Sequence, residues 1–263
     1  MISLKIALGR MTADLNTLAP SAPVGPERVG WAEAKAAALK DAYGDLEGRD
    51  LLKVMIAEEF SGRIALSSSF GAEAAVLLDL VAQVDPATPV IFLDTGKLFE
   101  ETYNYLADLK AHLGLLDVRT FTPDPVELSK QDPNGNLWES DTDRCCHIRK
   151  VEPLERALEG FDAWITGRKR HHGDLRLELE SIEGVDGFVK INPLVHWSHE
   201  KIQAVFKERG LPEHPLTKRG FASIGCYHCT REAGEGEDAR AGRWADKEKT
   251  ECGIHNAKWA TNQ

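Results

Sequence analysis

No stretch of this 263-residue sequence approaches the ~20 consecutive apolar residues that cross a membrane, so no membrane-spanning role is expected. The segment from Met1 to Arg10 has too short an apolar centre for a secretory leader, because Arg10 interrupts it. Basic residues are in deficit: 32 Lys and Arg stand against 42 Asp and Glu, a formal charge of −10. That balance opposes non-specific binding to nucleic acid, which needs a cationic face to displace counterions. It leaves room for a small anion held in a locally cationic pocket. A Gly-Lys-Ser/Thr phosphate loop is missing, and so is any internal repeat. Cysteine is scarce, five in all. A chain this long buries roughly 70–75% of its extended surface and needs no disulfide staple. A reducing, cytoplasmic compartment is therefore expected. There, closely spaced cysteines are metal ligands or redox groups more often than structural disulfides.

The five cysteines that are present form a pattern. Cys145 and Cys146 are adjacent, Cys226-Tyr227-His228-Cys229 is a C-x-x-C pair, and Cys252 stands alone in Glu251-Cys252-Gly253-Ile254-His255. Four thiolates suit a [4Fe–4S] cluster or a tetrahedral zinc. Helical neighbours diverge by ~100°, which fits the separated irons of a cubane better than one small zinc ion. A redox C-x-x-C beside two inert thiols is the plainer alternative. Cys252, left over in a polar segment, has the character of a nucleophile.

Residues 1–30 are rich in Ala, Pro and Thr and read as a loosely ordered arm. Helical spacing runs from Trp31 to Phe60. Strands are then expected at Arg63–Ser67, Pro89–Leu93, Asp117–Phe121, Ala163–Gly167 and Val189–Leu194. Helices are expected at Ala72–Val84, Glu100–Leu113, Ile148–Leu158 and Ser198–Arg209. This alternation predicts an α/β, doubly wound, mostly parallel sheet over residues 31–231. Residues 232–263 form a Gly-rich, charged tail, and its 232–251 stretch, with Trp244 as the only large apolar residue, reads as a mobile lid.

Ser67-Ser68-Ser69-Phe70-Gly71-Ala72-Glu73 falls between a strand and a helix, where small residues and a helix N-terminus can receive an anion. A serine-capped βα turn is the plainer reading. Asp94-Thr95-Gly96 ends the next strand and would face the same crevice, unless Asp94 caps the helix. Basic residues clump at Arg168-Lys169-Arg170-His171-His172, at Lys218-Arg219 and from Arg240 to Lys249.

Over roughly residues 45 to 255 the chain resembles the assimilatory adenylylsulfate reductases, the iron–sulfur branch of the adenylylsulfate/3′-phosphoadenylylsulfate reductase family. The resemblance is carried by Ser67 to Glu73, Leu93 to Gly96, Cys145 to Lys150, Thr166-Gly167-Arg168, Asn192-Pro193-Leu194, Ser223 to Thr230, Arg240 to Trp244 and Glu251 to His255. It implies an adenine nucleotide alpha hydrolase-like (PP-loop) fold, with a [4Fe–4S] cluster on Cys145, Cys146, Cys226 and Cys229. It also implies thioredoxin-dependent reduction of adenylylsulfate to sulfite and AMP in sulfate assimilation, with Cys252 carrying an S-sulfonate. By the same resemblance Ser67, Ser68, Ser69, Gly71, Leu93 and Asp94 line the nucleotide. Lys150, Gly167, Arg168 and Arg176 face the substrate, and Arg240, Arg243 and His255 close over its charge. The implied partners are adenylylsulfate, thioredoxin or a glutaredoxin-like reductant, and a second copy in a homo-oligomer.

Extra positive charge in residues 168–176 leaves room for a dual enzyme that also takes the 3′-phosphorylated substrate. Cluster-containing PP-loop tRNA-thiolating enzymes are a reading from another class. They generally carry Ser-Gly-Gly-x-Asp-Ser where this chain has Ser67 to Glu73. A zinc-binding module without catalysis gives no account of Cys252. Glu251, beside Cys252, is expected to oppose thiolate formation until the tail folds over a substrate.

Overall fold

The structure, a computed structural model, describes residues 21–172, 176–234, 236–245, 247, 249 and 251–255. The arm assigned to residues 1–30 therefore lies mostly outside the described residues, and the first helix, α1, spans Glu27–Tyr43. It buries Ala32, Ala36 and Leu39, a stripe at helical spacing. The single helical segment expected from Trp31 to Phe60 is broken. After Gly44 the chain turns and restarts as α2, Gly48–Val54, which runs into a π-helical stretch, Met55–Glu59. Gly48 is the hinge: its φ is +54°, and a Cβ there would lie 2.7 Å from the Trp197 ring.

Six strands form one sheet: β1 Ile64–Ser68, β2 Val90–Leu93, β3 Val118–Phe121, β4 Ala163–Ile165, β5 Ile182–Val185 and β6 Phe188–Ile191. Their order is β3-β2-β1-β4-β6-β5. All neighbours are parallel except β5, which pairs antiparallel with β6. The expected sheet is present, with β5 in addition. Asp186 and Gly187, at φ +53° and +79°, make the tight turn that joins β5 to β6.

The helices are α3 Ala74–Val84, α4 Glu100–Leu113, α5 Pro125–Gln131, α6 Leu137–Ser140, α7 Thr142–Cys146, α8 Glu152–Ala157 and α9 His199–Arg209. Strand alternation sends side chains to two layers. Ile64, Leu66, Val90, Phe92, Ala163 and Ile165 face a large core with residues of α2, α3, α4 and α9. Ala65, Ile91 and Trp164 face the opposite layer and meet Leu154, Ala157 and Leu158 at α8. The chain leaves β1 for β2 on one side and returns to β4 on the other. That reversal of strand order opens a crevice at the carboxyl ends of β1 and β4. Among the described residues no helix is long and apolar enough to cross a membrane.

Candidate active site

The crevice holds a cavity of about 250 Å³. One wall comes from the ends of β1 and β2, where Ser67, Ser68, Ser69, Gly71 and Leu93 line it. Phe70, inside that loop, is fully buried at φ +47°. A left-handed non-glycine residue costs ~1–3 kcal/mol and persists only where packing over-determines it. Here the Phe70 ring stands edge-on to Phe92 at 5.5 Å, and its backbone N–H donates to Ser68 Oγ at 3.2 Å. The turn leaves the three serines and Gly71 facing the cavity. Asp94 does not line it. Its Oδ1 accepts from the Gly96 N–H at 2.9 Å and from the Tyr103 hydroxyl at 2.6 Å, a turn-closing role.

Apolar side chains such as Leu77, Leu98, Leu194 and Ile224 form part of the lining, and one further wall is cationic. Gly167 and Arg168 follow β4, Lys150 follows α7, and Arg176, Arg240 and Arg243 join them there beside Cys252 and His255. Several of these cations are already engaged. Arg168 donates to Glu183 Oε2 at 2.5 Å. Lys169, fully within the protein, pairs with Glu73 Oε2 at 2.9 Å. Arg176 holds Glu251 through Nε at 2.6 Å and Nη2 at 3.0 Å, and Arg240 reaches the same carboxylate at 3.4 Å. Burial alone would raise the Glu251 carboxyl, but the Arg176 bonds and both guanidinium charges hold it below the ordinary carboxylate range. The charge expected to oppose Cys252 is thus matched by two arginines, and it docks the tail.

Arg243 lies over the Trp244 ring at 4.4 Å. It also fills the space above Gly225, where any Cβ would overlap its guanidinium. His255 sits 5.5 Å from the Trp164 ring. Burial, then the charges of Arg168, Lys190, Arg176 and Arg240, push its pKa well down, so it is neutral at pH 7. Its Nδ1 is buried without a hydrogen-bond partner among the described residues.

A second, smaller cavity adjoins the first and is lined by Cys145, Cys146, Cys226 and Cys229. Cys145 and Cys146 end α7. The segment continues as a π-helical stretch, His147–Val151, that carries Arg149 and Lys150. Such insertions recur at functional sites. Cys226 is anchored by a bridge to Leu98 and by the Tyr227 N–H donating to the Lys97 carbonyl at 2.9 Å. Burial raises the thiols of Cys145, Cys146 and Cys229, Cys146 to about 11. It would raise Cys226 too, but Lys150, Thr95 and Arg243 bring that thiol below its usual value. The lining offers sulfur donors, no carboxylate, and three cations, Lys97, Arg149 and Lys150. Arg149 Nε is buried without a hydrogen-bond partner among the described residues. An anionic four-thiolate group fits this donor set and this waiting N–H. Lys150 borders both cavities.

The tail docks along the rim of the cysteine cavity. The Trp244 N–H donates to the Cys229 carbonyl at 3.1 Å, Thr230 bridges Arg243, and Lys247 Nζ donates to Thr142 Oγ1 at 2.6 Å and to the Trp138 carbonyl. Lys249 pairs with Asp143. The described part of the stretch read as a mobile lid packs against this rim, with Trp244 buried, while 235, 246, 248, 250 and 256–263 of the tail lie outside the described residues.

The sequence profile of the phosphoadenosine phosphosulfate reductase domain matches residues 63–232. A curated relative named adenosine 5′-phosphosulfate reductase, from Mesorhizobium japonicum, is 47% identical over 222 residues, 84% of this chain and 87% of its own. The chain belongs to this reductase family. A relative of the same name from Chelativorans is 45% identical, covering 85% of this chain and 92% of its own. Among solved structures, a phosphoadenylyl-sulfate reductase from Candida auris in complex with phosphate aligns with a TM-score of 0.63 at 26% identity. That alignment covers 81% of this chain and all of the other. The six-stranded sheet has the adenine nucleotide alpha hydrolase-like (PP-loop) architecture expected from the sequence. An FMN adenylyltransferase from Candida glabrata shares the fold alone, with a TM-score of 0.51 at 19% identity over 77% of this chain and 75% of its own.

Sequence reasoning missed four residues that shape this family's pocket here: Glu73, Lys169, Glu251 and Arg149. Lys169 sat in a basic run with no partner marked by the sequence, and Arg149 lay inside the quoted Cys145 to Lys150 motif without a role of its own. Glu73 and Glu251 lay inside quoted motifs, but their partners are distant in sequence.

Proposed function

We propose that this protein reduces adenylylsulfate to sulfite and AMP in sulfate assimilation, with Cys252 as nucleophile and thioredoxin or a glutaredoxin-like protein as reductant. The observation that carries the reading is the convergence on one cavity of Cys252, the β1 loop and a cationic wall. The nucleotide's phosphate end lies on the Ser67–Gly71 loop, and its sulfate lies toward Lys150 and Arg243. The Cys252 thiolate attacks the sulfate sulfur. The sulfur–oxygen bond to the phosphate breaks, and AMP leaves with the electron pair. Arginine forks and Lys150 stabilise the charge that collects on the leaving phosphate. A reductant thiolate then attacks Cys252 Sγ, sulfite leaves with the electron pair, and the second thiol of the reductant resolves the mixed disulfide.

Cys145, Cys146, Cys226 and Cys229 would hold a [4Fe–4S] cluster, which supplies electrostatic tuning beside Lys150. Neutral His255 can hydrogen-bond substrate oxygens without adding charge. The curated relatives support the unphosphorylated substrate, and so do the ion pairs. The extra cations after β4 are committed, Arg168 to Glu183, Lys169 to Glu73 and Arg170 to the Leu179 carbonyl, so none stands ready for a 3′-phosphate.

Anaerobically purified protein, assayed for sulfite release with thioredoxin, tests this. Expected are absorbance near ~400 nm, bound iron, and strong preference for adenylylsulfate over its 3′-phosphorylated form. Equal rates would favour the dual enzyme, and zinc-loaded protein without sulfite release would overturn the reading.

A further inference from the structure

Three potential ligands outside the reacting groups converge on the rim of the crevice. Ligand atoms of Glu73, His171 and His199 all lie within 4.8 Å of one another. Each comes from a different part of the fold. Glu73 precedes α3, His171 sits in a short 3₁₀ turn, Arg170–His172, after β4, and His199 opens α9. Three separately anchored donors make a defined geometry, unlike neighbouring groups on one loop. Glu73 Oε1 and His199 Nδ1 are 3.1 Å apart. Two ligand atoms on a tetrahedral zinc, each at ~2.0–2.1 Å, lie ~3.3 Å from one another. The pair is therefore already at a coordination-edge distance, and the third donor lies within 4.8 Å of both.

The second sphere is also in place. His171 Nδ1 lies 2.8 Å from the Trp197 carbonyl. A carbonyl only accepts, so Nδ1 carries the proton and Nε2 presents its lone pair. Metal-ligating histidines are oriented in this way by a backbone carbonyl behind the ring. His199 is exposed, which gives an entry path.

We propose that Glu73, His171 and His199 bind a divalent borderline metal ion, zinc foremost, with water in the fourth position. Two imidazoles and one carboxylate are a donor set that zinc takes readily and that calcium and magnesium, which prefer all-oxygen shells, do not. The ion ties the segment after β1 to the segment after β4 and to α9. It clasps the entrance of the nucleotide crevice without touching Cys252 or the four-cysteine cavity.

The test is competition for zinc between the protein and a chromophoric chelator, in a C252S background so that the tail thiol takes no metal. Any zinc taken by the four cysteines is common to every variant and cancels in the comparison. The expected result is that H199A and H171A each lose one zinc equivalent, or weaken it at least tenfold, while H196A, at an exposed histidine nearby, behaves as the parent. X-ray absorption of the difference population should show nitrogen and oxygen neighbours without sulfur. Since the His199 ring is outside the core, H199A reads binding rather than folding, and a circular dichroism melt checks this. Unchanged zinc binding in H199A, equal loss in H196A, or sulfur in the coordination shell would each overturn the assignment.

Discussion

Substituting Glu251 by Gln removes the charge that Arg176 and Arg240 share, and two guanidiniums then face each other in a partly buried site. Breaking such a pair from one side costs ~3–5 kcal/mol when burial is complete, and less at this site, which keeps some exposure. The tail should undock, so alkylation of Cys252 by iodoacetamide should speed up and sulfite release should fall at least tenfold. Unchanged alkylation would show that the carboxylate does not hold the tail. Gly225→Ala is the companion test, since its methyl group overlaps the Arg243 guanidinium and forces it out of its place in the cavity wall. Turnover should drop with the fold intact, and melting within a few degrees of wild type checks the second half. At this scale the grouping of the cysteines was legible, because their motifs mark them out: four line one cavity and Cys252 lines the other. The pairing of Arg176 with Glu251 was not. The partners are 75 positions apart, and a lone carboxylate beside a cysteine carries no local sign of which cation will meet it.

His214 fixes the segment after α9 onto α4. It is fully buried, with Nε2 3.2 Å from Thr102 Oγ1, Nδ1 accepting from the Leu216 N–H at 3.2 Å, and the ring against Tyr105. The backbone donor fixes the proton on Nε2. Burial lowers the pKa to about 4 from an ordinary 6.5, with Glu101 a smaller, opposing influence. Between those values the unfolded chain binds more protons than the folded one, so stability rises with pH across that window. The contribution is complete above pH ~6.5, is lost as pH falls toward ~4, and amounts to about 3 kcal/mol in full. His214→Gln should flatten this part of the pH–stability curve, measured by urea melts at pH 7 and 5. Parallel curves for the two proteins would defeat the argument.

Elements were legible where periodicity was strong, as in α4, found at its expected bounds. Strand β5 was not, because Gly184 interrupts it. That glycine is where α1 crosses, since a Cβ there would sit 2.6 Å from the Ala32 carbonyl oxygen. The signal that could have found the strand was Val185-Asp186-Gly187-Phe188, a two-residue hairpin turn. The helix expected at Ile148–Leu158 also begins earlier. The π-helical stretch between α7 and α8 shifts the phase that spacing arguments rely on.

For the whole molecule, two substitutions separate the two cavities. Cys252→Ser should abolish sulfite release and leave the visible absorbance intact. Cys226→Ser should lose both, because Cys226 is a cavity wall shared through Lys150 and Thr95 with the rest of the crevice. A Cys252→Ser protein that still turns over would move the nucleophile elsewhere. Lys150 has a further consequence. A single cation that borders two sites makes their occupancies reciprocal, by thermodynamic necessity and whatever path the influence takes. If loss of the cysteine-bound group weakens nucleotide binding by some factor, bound nucleotide must tighten the hold on that group by the same factor. Substrate would then act as a preservative for the proposed cluster, and the enzyme in a cell short of sulfate would be the form that holds it least tightly.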